Sequence, residues 1–210
     1  PPAAAIPGGL QPGRAAAASS AVSGQDKAAL SEDRAGNSIK VPDEVNTIIS
    51  MSPAVTQVLV ELGLSDKIIA CDTQSPMYAE GLKQDIPQFD MMEPDQEQIM
   101  ALKADIIFTS GMSSSGGTDV FAQVRKSGAC IADIPSSTSI EGIGEDIRFI
   151  GDCVGESEKA EKIVSDMNDQ VQAIKTIGDS IKDKKNVLFE ISASPEIYST
   201  GKGTFIDEMI

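Results

Sequence analysis

The feature that most constrains the fold is an alternation of short apolar runs with amphipathic segments between residues 47 and 154. Four runs have the length and composition of buried strands, at 47–51, 67–71, 105–109 and 129–134. Helices are predicted from Pro53 to 63, from Pro94 to about 103, around 120–127, and from the cap at Thr138 to 154. Strands that are apolar throughout and separated by helices indicate a parallel sheet covered on both faces. The sequence therefore predicts an α/β lobe.

Local signals mark where several of these elements begin. Ser52-Pro53 has the form of a helix cap followed by a first-position proline. Thr138 and Glu141 fit a capping box, with Glu141 reaching back to the helix start. Residues 31–41 read as a short hairpin with its turn at 35–37.

The loops at the carboxyl ends of the predicted strands are rich in Ser, Thr, Gly and Asp. They cover 52–53, 72–76, 110–118 and 135–139. Ligands of open α/β sheets bind at this edge, where hydroxyls and helix-start N–H groups suit a polar ligand. Ordinary helix capping uses the same residue types, so both interpretations stay open.

The longest periodic segment is 156–183, where apolar residues recur at steps of three and four. A helix of this length measures ~42 Å. One lobe is too small to need it, so we predict that it joins two lobes. A dimerising coiled-coil helix is the alternative.

The two ends of the chain differ from this pattern. Residues 1–30 are rich in Ala, Pro, Gly and Ser and predict a flexible leader or linker. Residues 186–191 begin a new strand, and 204–210 open a helix. Because one strand and one helical turn cannot form a core, we predict that residues 184–210 begin a second lobe that the chain does not complete. The predicted divisions are thus 1–30, 31–155, 156–183 and 184–210.

Composition excludes several classes of protein. The chain has 17 basic and 32 acidic residues, a net charge of −15, which argues against nucleic acid as a partner. It has no histidine, so Ser-His-Asp catalysis and an HExxH zinc site are ruled out. The three cysteines are far apart and predict buried small hydrophobes rather than disulfides or metal ligands.

Other motifs are weak. Residues 201–204 resemble the end of a phosphate-binding loop. The full pattern fails because position 196 is Glu instead of Gly and because Lys202 is followed by Gly203 instead of Ser or Thr. Neighbouring acidic residues in a chain this acidic are most simply explained as parts of solvent-exposed surfaces. Met91-Met92 could line a binding surface, although packing over the sheet is the favoured interpretation. Glu97, in the first turn of a helix, either interacts with the helix dipole or docks a basic partner.

Several segments together resemble a known family. They are Asp33 to Asn37, Ile49 to Thr56, Leu62 to Ala70, Glu93 to Ile99, Ala101 to Ile107, Thr138 to Ile143 and Tyr198 to Phe205. In order and spacing they are similar to the solute-binding proteins of ABC importers for cobalamin, ferric siderophores and haem. The resemblance covers residues 31–210.

This resemblance implies two α/β lobes facing each other across a cleft, with one rigid helix between them. It implies ligand contacts from the first-lobe loops and from residues 192–204. The residues assigned to the ligand are Ser52, Pro53, Thr73, Gln74, Ser75, Ser110, Gly111, Met112, Ser136, Tyr198 and Lys202. It also implies that Glu97 docks to arginines of the membrane permease.

The resemblance therefore implies a monomeric, non-enzymatic, extracytoplasmic binding protein, lipid-anchored in a Gram-positive host. Its expected role is to deliver a metal chelate such as cobalamin or a ferric siderophore. No intrinsic cofactor or protein metal site is expected, because the metal would arrive inside its chelator. The alternative is an α/β hydrolase that uses carboxylates at the strand ends.

Overall fold

A five-stranded sheet forms the centre of the structure. The computed structural model describes residues 30–114, 117–192 and 195–210, so nearly all of the predicted leader lies outside the described residues. The strands are β1 (Ile48–Ser50), β2 (Ile68–Asp72), β3 (Gln88–Phe89), β4 (Ile106–Ser110) and β5 (Ile131–Ile134). Their order is β3-β2-β1-β4-β5 and every pair is parallel. The predicted parallel α/β fold is confirmed.

Two helical layers cover this sheet. The helices around it are α1 (Pro53–Glu61), α2 (Ser75–Tyr78), α3 (Gln96–Leu102), α4 (Ala122–Lys126) and α5 (Ile140–Val154). Side chains of α1 and α5 share one core cluster with one face of the sheet. Side chains of α3 and α4 share a second cluster with the other face. The consecutive residues Ile48 and Ile49 enter different clusters, as alternation along a strand requires.

Two short elements were not predicted from the sequence. Strand β3 contains only two residues, and α2 contains four. Neither is long enough to show a periodic pattern. Both lie between β2 and α3, where the sequence shows only a polar loop rich in turn residues.

The predicted helix starts need two corrections. Helix α5 is capped by Ser139, whose Oγ accepts a hydrogen bond from Gly142 N at 3.0 Å, so the prediction of Thr138 as the cap is wrong. Helix α3 begins after Asp95 rather than at Pro94, and Asp95 Oδ1 accepts from Gln98 N at 2.9 Å. In both cases the residue whose oxygen reaches the third helical N–H determines the start.

The predicted hairpin at 31–41 is present and is held by one carboxylate. Glu32 pairs antiparallel with Ser38. The buried Asp33 accepts hydrogen bonds from Ala35 N at 2.9 Å and from Asn37 N at 2.8 Å, which closes the turn. Its other oxygen accepts from Asp133 N at 2.9 Å and thereby ties the hairpin to β5.

The long segment is one continuous helix, α6 (Ser157–Ser180), of 24 residues. At 1.5 Å per residue it measures ~36 Å, somewhat less than predicted. Its first half packs on α5, where Ala160 and Val164 are buried. A Cβ at Gly151 of α5 would lie 2.3 Å from the Ala160 Cβ, so the glycine permits the close approach of the two helices.

The apolar stripe of α6 continues beyond the surface that covers it. Val171 is partly buried, but Ile174 and Ile177 are 66% and 64% exposed. After Ser180 come nine residues without helix or strand, then β6 (Glu190–Ser192), β7 (Tyr198–Ser199) and α7 (Phe205–Met209). Strands β6 and β7 pair antiparallel. The helix predicted at 204–210 is present as α7, whereas the strand predicted at 186–191 begins only at Glu190. The domain boundaries stay a prediction.

Candidate functional site

Because the five strands are parallel, their carboxyl ends meet at one edge of the sheet. Four of the loops at this edge carry nine of the predicted ligand-binding residues. These are Ser52 and Pro53 after β1, Thr73, Gln74 and Ser75 after β2, Ser110, Gly111 and Met112 at the end of β4, and Ser136 after β5. The fold therefore brings residues that are up to 84 positions apart to one edge. That they contact a ligand stays a prediction.

Two of these residues belong to a buried polar network instead of the exposed surface. The Ser75 hydroxyl donates to the Asp72 carboxylate and lies 2.7 Å from the hydroxyl of Thr56. The Ser52 carbonyl accepts from Thr56 Oγ1 at 3.0 Å. Thr56 Oγ1 also lies 2.8 Å from Ser50 Oγ. All five residues are buried, so the Ser75 hydroxyl and the Ser52 carbonyl lie beneath the exposed surface of the edge and support it.

Asp72 is the centre of that support. Besides the Ser75 hydroxyl, it accepts hydrogen bonds from Gln74 N at 2.8 Å and from Ser75 N at 2.9 Å. These bonds turn the chain sharply after β2, so that Thr73 and Gln74 project into solvent. This role of Asp72 was not predicted from the sequence. The available signal was an aspartate that ends an apolar strand and is followed by hydroxyl and amide residues able to form an Asx turn.

Exposed apolar side chains stand among the polar groups of the edge. Met77 is 72% exposed, Tyr78 58%, Met112 51% and Met92 43%. Met77, Tyr78 and Met92 were not assigned to the ligand from the sequence. Met92 was expected to pack over the sheet, but its side chain belongs to neither core cluster. Phe89, by contrast, is buried beneath the edge. The surface therefore combines hydroxyls and backbone groups with soft, exposed apolar groups.

A polar cavity of about 320 Å³ lies beside the loop that follows β5. It is lined by Arg34, Pro135, Ser136, Ser137, Thr138, Ser139, Gly142, Glu145 and Asp146. The charge of Arg34 is already paired, at 2.7 Å to Glu145 and 2.7 Å to Asp146. The cavity can offer hydroxyls and N–H groups to a ligand, and its one arginine and two carboxylates leave a formal net charge of −1.

A second cavity, of about 360 Å³, opens between α3 and α4. Its lining includes Ile107 at the start of β4 and Lys103 and Gly128 at the ends of the two helices. It therefore lies at the amino edge of the sheet, opposite the polar loops, and does not contribute to the candidate site.

The two remaining predicted ligand residues, Tyr198 and Lys202, lie outside the lobe. Tyr198 belongs to β7 and is 56% exposed, and Lys202 is exposed in the turn before α7. The Tyr198 hydroxyl donates to Glu196 Oε2 at 2.7 Å, and this hydrogen bond raises the pKa of the phenol. Both residues are available to a ligand, and whether they bind one stays a prediction.

Glu97 is exposed in the first turn of α3. Because α3 follows β3, its first turn lies on the same side of the lobe as the strand-end loops. Asp95, the cap of the helix, has its own hydrogen bonds to Gln98 N and Nε2. The Glu97 carboxylate has the exposure that a docking residue requires.

The cysteines are unsuited to chemistry at neutral pH. Cys71 and Cys153 are buried and Cys130 is partly buried. Burial, with a smaller contribution from the charge of Asp72, raises the pKa of Cys71 to about 11. Since the thiolate is the reactive form, Cys71 is a packing residue, as predicted.

The described part of the chain contains no group of three or more Cys, Asp or Glu side chains placed to hold a metal ion. Within the same residues, no helix combines the length and apolarity needed to cross a bilayer. The longest helix, α6, is 24 residues long but carries charged side chains along most of its length.

Both the sequence and the fold of this chain are similar to those of known proteins. The family model described as "Periplasmic binding protein" matches residues 48–210. An uncharacterised ABC transporter substrate-binding lipoprotein of Bacillus subtilis, YvrC, is 29% identical over 183 residues, which are 85% of this chain. The match spans 57% of that relative, so the chain covers little more than half of its length.

Solved structures agree with this assignment. A possible iron-binding periplasmic solute-binding protein of Staphylococcus epidermidis superposes with a TM-score of 0.68 at 26% identity, over 79% of this chain and 64% of that one. The haem-binding protein RhuT of Roseiflexus gives a TM-score of 0.66 at 19% identity, over 78% and 62% of the two chains, and supports the fold alone. From the matched residues and the parallel α/β lobe, the chain belongs to the periplasmic binding protein family.

Proposed function

We propose that this protein is the extracytoplasmic solute-binding component of an ABC importer, and that it captures a metal chelate at the carboxyl edge of its first lobe. The observation that carries the proposal is the mixed surface of that edge. Exposed Met77, Tyr78, Met92 and Met112 stand beside hydroxyls and backbone N–H groups. Binding sites for small molecules typically combine apolar area with a few oriented polar groups.

A chelate of cobalamin, siderophore or haem size suits this surface better than a bare ion. The described residues offer no cluster that would ligate a metal directly, whereas large chelates present apolar faces and polar rims. The S. epidermidis protein of similar structure is described as possibly iron-binding. The relatives named as substrate-binding proteins support a role in binding rather than catalysis.

A ligand screen tests the proposal on the full-length protein. Cobalamin, haem and ferric siderophores of the catecholate, hydroxamate and carboxylate types are titrated in parallel by calorimetry. We expect saturable binding of one of them, with a Kd of about 1 μM or tighter, and no chemical change in the recovered ligand. Failure of every chelate to bind, or turnover of ester or phosphate substrates, would contradict the proposal.

Two variants connect binding to the edge. Tyr78→Ala and Met112→Ala each remove an exposed side chain and should weaken binding about fivefold or more, as truncation of contact residues does. Glu61→Ala is the control, because Glu61 ends α1 and lies at the opposite edge of the sheet. Equal affinity in all three variants would place the ligand elsewhere.

We further propose that Glu97 docks to basic residues of the membrane permease and that a lipid anchor holds the protein at the cell surface, as the name of the B. subtilis relative suggests. Glu97→Arg should leave chelate affinity unchanged and abolish uptake, because a like charge then faces the permease. Glu61→Arg serves as the matched charge reversal. Normal uptake by Glu97→Arg would remove the docking assignment.

A further inference from the structure

The first turn of α5 receives a carboxylate from a distant part of the chain. The N–H groups of a first helical turn have no partner within the helix. Ser139 Oγ accepts from Gly142 N at 3.0 Å, while Ile140 N donates to Glu208 Oε2 at 2.8 Å. Glu208 lies in α7, 68 residues further along. The sequence predicted a carboxylate at this helix start too, but it was Glu141 reaching back to the cap residue Thr138. The carboxylate bound to Ile140 N belongs to another element.

The contact is electrostatically favourable. Helix α5 has 15 residues, and its aligned peptide dipoles place partial positive charge at Ile140. A carboxylate at that point is stabilised both by the dipole and by a charge-assisted hydrogen bond. The neighbouring acid Asp207 is exposed, and among the described residues its carboxylate has no hydrogen bond to the first turn of α5.

The position of the contact gives it a mechanical consequence. Helix α6 ends at Ser180, and residues 181–189 form neither helix nor strand, so the covalent link does not fix how residues 190–210 lie on the lobe. Ile140 directly follows the loop 135–139, which lines the polar cavity of the candidate site. A bond from α7 to Ile140 therefore holds the two parts together at the edge where a ligand would enter.

We propose that Glu208 is a latch between the segment 190–210 and the first lobe, acting by capping α5 across the gap between them. The latch sets the resting separation of the two parts before any ligand arrives. The latch does not depend on which ligand the protein carries. The latch proposal can therefore be wrong while the proposed function is right, and the proposed function can be wrong while the latch proposal is right.

Amide exchange measured by NMR tests the latch directly, because the Ile140 N–H is exposed to solvent unless Glu208 covers it. In the unmodified chain the Ile140 amide should exchange at least about fivefold more slowly than an unprotected amide, the effect expected of a charged partner at a helix start. Glu208→Ala should abolish this protection, whereas Asp207→Ala should keep it. An unprotected Ile140 amide in the unmodified chain, or equal protection in Glu208→Ala, would overturn the proposal.

A second variant removes the donor instead of the acceptor. Ile140 occupies the first helical position, where proline is well tolerated and carries no N–H. Ile140→Pro should therefore loosen α7 as much as Glu208→Ala does, with backbone order parameters falling below about 0.6, and the double variant should show no further loss. Order parameters of α7 that stay unchanged in both single variants, or losses that add in the double variant, would show that the two groups do not act as one latch.

Discussion

The first lobe and the segment 181–210 are made of the same kinds of element but differ in burial. In the lobe, Phe108 and Ile106 of β4 have no exposed surface. In the segment, Leu188 is 80% exposed and Ile197 75%. Local sequence is therefore sufficient to direct strands and a helical turn in both regions, whereas burial requires a second layer to pack against. A two-stranded hairpin has no such layer in the described residues.

Helix α6 is packed against the lobe in its first half and exposed to solvent in its second half. Its Ala160 and Val164 lie in the core of the lobe, while Ile174 and Ile177 on the continuing stripe face solvent. The packed and the exposed regions should therefore respond differently to substitution.

The largest contrast is expected between two phenylalanines. Phe108→Ala empties a fully buried position and should lower the free energy of unfolding by about 3–5 kcal/mol. Phe189→Ala truncates a side chain that is 42% exposed and should change it by less than about 1 kcal/mol. Urea titration followed by circular dichroism measures both. Similar losses at the two positions would mean that residues 181–210 share the stability of the lobe.

Replacing glycine by alanine should change the free energy of unfolding in opposite directions at Gly151 and Gly178. Gly151→Ala forces a Cβ to within 2.3 Å of Ala160, so we expect a loss of about 1–3 kcal/mol from overpacking. Gly178→Ala, in the exposed half of α6, has no heavy atom within 4 Å of the added Cβ and should stabilise the helix by up to about 1 kcal/mol. Thermal unfolding separates the two. Tolerance of Gly151→Ala would contradict the close packing of α5 on α6.

Acid stability distinguishes a carboxylate inside the lobe from one on the exposed helix. Hydrogen bonds from the backbone N–H groups of Asn46 and Thr47 lower the pKa of Asp105 despite its partial burial. Because the folded pKa lies below the unfolded value of about 4, the ionised group stabilises the fold above that pH. The contribution is lost as the pH falls through the folded pKa.

Asp105→Asn should therefore cost about 1–2 kcal/mol at pH 7, where the charged acceptor is lost, and the difference from the unmodified chain should shrink below pH 4. Asp179→Asn is the matched control on α6, where a hydrogen bond from Lys175 lowers the pKa of an exposed aspartate. Because solvent screens that ion pair, Asp179→Asn should leave the loss of stability at low pH as it is in the unmodified chain. If the stability difference between Asp105→Asn and the unmodified chain did not change with pH, the negative charge of Asp105 would not be what stabilises the fold.

The contrast between the regions also explains what the sequence could predict. The four longer strands were found because they lie in apolar runs of five or six residues, and the long helix because its apolar residues recur at steps of three and four. Strand β3 and helix α2 contain two and four residues. Strand β3 pairs with β2, and α2 packs on α1, so contacts with other elements hold both in place. Tertiary contacts of this kind leave no periodic signal in the chain.

The candidate site was predictable in place but not in detail. Parallel strands fix which loops meet, so the carboxyl edge followed from the alternation alone. Which side chains of those loops face solvent depends on hydrogen bonds such as those of Asp72 with Ser75, which turned Ser75 inward and left Met77 and Tyr78 exposed. Glu208 at the start of α5 shows the same limit, since a partner 68 residues away has no local signature.

The smallest effect is expected on the exposed stripe of α6, and it decides between a monomer and a helix-mediated dimer. Ile177 is 64% exposed, and Ile and Ser have similar helix propensities, so Ile177→Ser should change the free energy of unfolding by less than about 0.5 kcal/mol. If two copies paired through this stripe, the substitution would instead cost several kcal/mol, and the midpoint of unfolding would rise with protein concentration. Sedimentation of the unmodified chain across a range of concentrations should give a constant mass near 22.0 kDa. A doubled mass that Ile177→Ser returns to 22.0 kDa would show that the stripe is a dimer interface, and the exposed half of α6 would then owe its apolar residues to a second copy of this chain.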